Sequence, residues 1–132
     1  MHRFLQLHDM VMPQLILSVF FLALGFAMVK FPPRKINPWY GYRTQSSMKS
    51  QEAWDYAQRI CSRKFILIGV VMLVVALVEW LVGLKPVWCA LILTFSPLIA
   101  FPYLIAVVEK QLKRKFPAAL AHTGGKSAKG DK

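Results

Sequence analysis

Glu79 is the one acid or base inside three long apolar stretches, and a carboxylate at the centre of a bilayer costs about 2.5 kcal/mol or more. Such a residue has two uses: a polar pin between helices, or a carrier of a proton or ion. It lies five residues before Leu84, roughly 7–8 Å from the end of its stretch at about 1.5 Å per residue. At that depth it is within reach of the interface and of Gln14, Ser18 or Thr94.

A second group of residues stands between the first two stretches, in Asn37-Pro38-Trp39-Tyr40-Gly41-Tyr42-Arg43-Thr44. Gly41 permits a positive φ in a turn, and Asn37 can bridge neighbouring backbone groups. Arg43 offers a planar fork to a carboxylate, a carbonyl cluster or a lipid phosphate. Trp39, Tyr40 and Tyr42 beside Arg34, Lys35 and Arg43 suit the headgroup zone of a membrane.

Little else in the chain points to catalysis. His2, His8 and His122 are scattered, and no Ser-His-Asp set, paired carboxylates or metal-ligand spacing accompanies them. Glu52 and Asp55 read most simply as a solvated helix face. Cys61 and Cys89 fall near opposite faces of the membrane, too far apart for a disulfide, and read as packing residues. No catalytic residue, metal or cofactor is expected.

The elements that hold these residues follow from hydropathy. Met10–Val29 and Phe65–Leu84 give 20 residues each and Val87–Val108 gives 22, the only charge among them being Glu79. Each matches a hydrocarbon core about 30 Å thick. The spacing predicts an all-α membrane protein with three transmembrane helices over about 10–29, 65–84 and 87–108. It also predicts an amphipathic loop helix between the first and second spans. That helix starts at the N-cap Ser50 and carries Trp54, Ala57, Cys61 and Phe65 on one stripe, either along the membrane or running into the second span. Pro32 and Pro33 end the first span. Ala23 and Ala27 form a small-xxx-small pair suited to helix approach. Lys85 and Pro86 make so short a link that the second and third spans must be antiparallel neighbours, flanked by Trp80 and Trp88. Pro97 and Pro102 are expected to kink the third span, with Thr94 or Ser96 occupying freed carbonyls.

Charge gives the orientation. The net charge is +11, and of the 17 Lys and Arg all but Arg3 and Lys85 lie in the 30–64 loop or after the third span. The positive-inside rule then puts the loop and carboxyl end in the cytoplasm and the amino terminus outside. The same placement makes anionic headgroups a better partner than nucleic acid, which is not expected. Residues 1–115 read as one membrane module and 116–132 as a basic, disordered tail. A cleaved leader does not fit, because the basic cluster follows the first apolar run.

The run Ile36 to Thr44, followed by Ser47-Met48 and then Glu52, Trp54 and Ala57, resembles the signature of the SdpI family of bacterial membrane proteins. That resemblance implies a three-helix inner-membrane module whose namesake protects cells from a secreted, membrane-acting toxin and signals by holding a repressor at the membrane. It implies motif positions at Asn37, Gly41, Arg43, Thr44, Ser47 and Trp54. The expected function is toxin immunity or membrane signalling through the loop, with a peptide toxin or cytoplasmic regulatory protein as partner. The competing expectation is a transporter or channel, built as a homo-oligomer around Glu79.

Overall fold

The computed structural model describes residues 1–117, and helix is its only regular structure. Helix α1 runs His2–Lys30, α2 Gln51–Val82 and α3 Pro86–Lys115, each containing a segment long and apolar enough to cross a membrane. The expected disordered tail lies outside the described residues from 118 onward.

The separate loop helix is not found. Gln51–Val82 is one helix of 32 residues. No proline interrupts it, so nothing separates the stripe of Trp54, Ala57, Cys61 and Phe65 from the second span. At about 1.5 Å per residue it extends roughly 48 Å, well beyond a hydrocarbon core of about 30 Å. Its first three or so turns therefore project from the membrane. The stripe is buried against the protein's own core and not against a lipid surface. The start matches the sequence: the Ser50 hydroxyl accepts from the Ala53 amide at 3.1 Å, with Glu52 in the first turn. Helix α1 likewise begins earlier than its apolar run, taking in the polar lead from His2.

Helices α1 and α2 pack along most of their length, whereas α3 meets both more sparsely. The close approach is made by glycine. A Cβ added to Gly25 would lie 2.8 Å from the Ile66 backbone nitrogen, and one on Gly69 would lie 2.9 Å from that of Leu22. Ala23 and Ala27 are exposed, so the expected alanine pair is not the contact face. These glycine contacts fix an antiparallel register in which Leu22 faces Gly69 and Gly25 faces Ile66.

At the hairpin end, Gly83 closes α2 in the left-handed region (φ 67°) and its amide bonds to the Glu79 carbonyl. Pro86 then opens α3 at a position that needs no amide donor. Trp80 and Trp88 are about half exposed there, as an aromatic belt requires. Within α3 the Ser96 hydroxyl lies 3.5 Å from the Leu93 carbonyl, the group that Pro97 cannot satisfy. At the opposite, basic end, Leu104, Val108 and Leu112 recur every four residues and seal α3 onto the core with Phe21, Met28, Tyr42 and Ala57. Lys115 lies over the Tyr56 ring at 4.3 Å and Phe116 meets its edge, tying the end of α3 to the start of α2.

Candidate functional site

The segment joining α1 to α2 has no helix of its own, so its backbone groups need other partners. Side chains supply them. The Asn37 carboxamide donates to the Lys35 carbonyl and accepts from the amides of Trp39 and Tyr40, at 3.0 and 2.8 Å. Gly41 follows with φ 108°, as the sequence required of a turn. A side chain there would also collide, since a Cβ would stand 2.6 Å from Gln58 Oε1.

That oxygen belongs to a clasp. Gln58 Oε1 accepts from the Tyr42 amide at 2.6 Å, and Gln58 Nε2 donates to the Tyr42 carbonyl at 2.8 Å. One carboxamide thus satisfies both backbone groups of a buried residue, and leaving either unmade costs about 1–3 kcal/mol. Two further anchors come from α2. The Trp54 indole, with no exposed surface, donates to the Pro33 carbonyl at 2.7 Å, and Gln51 Nε2 donates to the Arg34 carbonyl at 2.7 Å.

Glu109 makes the third side of the clasp from α3. Its Oε1 accepts from the Thr44 hydroxyl at 2.6 Å and the Tyr42 hydroxyl at 3.2 Å, and Ser46 also bonds to it. Burial, reinforced by the neighbouring Glu109 charge, pushes the Tyr42 phenol well above its ordinary value. Tyr42 therefore remains a donor to the carboxylate throughout the physiological range. Ser47 knots the turn from inside, accepting from the Thr44 amide at 2.9 Å and donating to the Tyr42 carbonyl at 3.1 Å.

Every loop residue singled out from the sequence lies at this basic end, but they divide into two sets. Tyr42, Ser47 and Trp54 are buried, while Gly41, Thr44 and Asn37 shape and hold the turn. Trp39, Tyr40 and Arg43 point out, Trp39 being 89% exposed. Arg43 donates through one guanidinium nitrogen to the Pro38 carbonyl, bracing the turn, and presents the rest of its fork to the surroundings. Gln58 and Glu109, the two residues on which the clasp depends, were not among the expected site residues. The available signals were a glutamine beside an otherwise apolar stripe and a single acid ahead of a basic run.

Glu79 and Gln14 occupy the other end of the bundle. Each is 1% exposed, and neither carboxylate oxygen of Glu79 nor either amide atom of Gln14 has a hydrogen-bond partner among the described residues. Of the two uses the sequence offers Glu79, no hydrogen-bonded pin is present among the described residues. Ser18 donates to Leu15 in its own helix and Thr94 to Ala90 in its own, so neither serves Glu79. Extending the glycine register puts Gln14 opposite Leu77, about 3 Å along the axis from Glu79. Cys61 and Cys89 are both free and buried at opposite ends of the bundle.

The profile of the SdpI/YfhL protein family matches residues 34–107, which hold the motif loop, all of α2 and most of α3. The chain belongs to the SdpI/YfhL family. Within this family, the protein YfhL of Bacillus subtilis (strain 168), whose own function is uncharacterized, is 44% identical over 48 residues. Those residues make up 36% of this chain and 44% of YfhL, so the chain matches less than half the length of this relative. No solved structure matches the chain significantly. Three membrane-length helices in an SdpI/YfhL chain make it a multi-pass membrane protein.

Proposed function

We propose that this protein is a non-enzymatic recognition module of a bacterial inner membrane, acting in immunity to a membrane-active peptide or in signalling through a regulatory protein. The motif loop is its recognition surface, and the basic end faces the cytoplasm. The observation that carries this reading is the division of the motif. Its buried half is consumed in fixing the loop to α2 and α3, while Trp39, Tyr40 and Arg43 are left outward on a backbone that cannot relax. Tryptophan, tyrosine and arginine dominate binding hot spots, and a fixed backbone lowers the entropy lost on association. Anionic headgroups around the basic end would add to partner capture.

Expression in a strain sensitive to a secreted, membrane-acting peptide tests the immunity arm. Wild-type chain should protect, and W39A/Y40A should lose protection at unchanged protein level. No protection by the wild type, together with no protein captured by a photoreactive residue at position 43, would contradict the proposal.

A second reading rests on Glu79 and Gln14. An acid with no partner among the described residues suits ion or proton passage at this depth, and three helices alone make so thin a wall that a homo-oligomer is required. Proton flux into liposomes abolished by E79Q would favour this transporter or channel; flux equal to that of empty liposomes would exclude it.

A further inference from the structure

A cavity of about 440 Å³ opens where the end of α1 and the start of the loop meet the first turns of α2. Its size falls within the range of about 300–1,000 Å³ typical of small-molecule sites. Three arginines line it, Arg34 from the loop and Arg59 and Arg63 from α2, with Asp55 as the single acid. Arg59 and Arg63 are four residues apart and so share a helix face. Arg34 is brought to them by a fixed backbone, because Trp54 holds the Pro33 carbonyl and Gln51 holds that of Arg34. Gln51 also donates to Asp55 Oδ1 at 2.8 Å, which occupies part of the one available counter-charge.

Three guanidiniums against one carboxylate leave the cavity with a surplus of two positive charges, and the groups that neutralise such a fork-shaped cluster best are phosphate oxygens. The remaining wall distinguishes a lipid from a soluble phosphate. Met28 and Val29 belong to the last turn of a membrane-length helix, so the cavity is apolar on the side that continues into the bilayer. A free phosphate has no use for that wall, whereas the glycerol and first methylenes of a phospholipid would cover it.

We propose that Arg34, Arg59 and Arg63 form a site for the phosphodiester of an anionic phospholipid, seated with its glycerol against Met28 and Val29. The site lies behind the motif loop and is separate from its outward face, so it stands independently of the recognition reading and of which way the chain is inserted.

The full chain in mild detergent, titrated with phosphatidylglycerol and, separately, phosphatidylcholine under native mass spectrometry, tests it. One phosphatidylglycerol should be retained where phosphatidylcholine is not. R59Q/R63Q should weaken retention roughly tenfold or more and R34Q several-fold, while K110Q/R114Q, which alters charge at the same end outside the cavity, should stay within about twofold. R34Q changes only a loop side chain and decides the matter if the double variant fails to fold. Equal losses in K110Q/R114Q, or no loss in R34Q and R59Q/R63Q, would overturn the site. Displacement of the lipid by millimolar inorganic phosphate would overturn the lipid assignment in favour of a free anion.

Discussion

Gly41 carries two constraints at once, a φ of 108° and a Cβ direction already occupied by the Gln58 carboxamide. G41A should therefore loosen the clasp and lower the melting temperature in detergent by roughly 4 °C or more, with helical circular dichroism preserved. An unchanged melting temperature would show that the loop is not held as described. At Glu109 the comparison is between donors. Y42F removes one neutral hydroxyl and should cost about 1 kcal/mol, whereas E109Q alters a charge-assisted acceptor serving several hydroxyls and should cost about 1.5–3 kcal/mol. Because both act on one network, the double variant should cost less than the sum, measured by thermal or denaturant unfolding. Gly41, Asn37 and Trp54 were legible in the sequence because turns and apolar stripes are local patterns. Gln58 and Glu109 were not, since their partners lie 16 and 65–67 positions away and nothing local marks which carbonyl or hydroxyl they meet.

At the scale of elements, hydropathy located the three membrane-length segments, and Ser50, Gly83 and Pro86 mark helix ends where their chemistry puts them. The expected amphipathic loop helix, lying along the membrane or running into the second span, is not a separate element but the first turns of α2, for a simple reason. An apolar stripe says that one helix face is covered, but not by what, and here the cover is α1, α3 and the loop instead of the membrane surface. The choice between Ala23/Ala27 and Gly25/Gly69 was likewise invisible from α1 alone, because the rotation of a helix that is apolar on every side is set by its neighbour. G69L should force α1 from α2 and abolish a cooperative unfolding transition, while A23L/A27L should leave it within a few degrees. The reverse order would place the helix interface elsewhere.

For the whole molecule, the two ends of the bundle have opposite character. The basic end is closed by hydrogen bonds from the loop, α2 and α3, whereas the hairpin end buries Glu79 and Gln14 without a side-chain hydrogen bond among the described residues. A buried acid lacking a partner destabilises the fold that contains it, so E79Q should leave the melting temperature unchanged or raise it. A large fall would show that the carboxylate is paired within the membrane. The proposed recognition surface lies at the end where the loop is tied by hydrogen bonds to α2 and α3. A photoreactive residue at position 39 in native membranes tests this most directly, read with and without G41V, which releases the clasp. The account predicts one discrete adduct with the clasp intact and its loss in G41V at equal protein level; no adduct, or the same adduct in G41V, would contradict it.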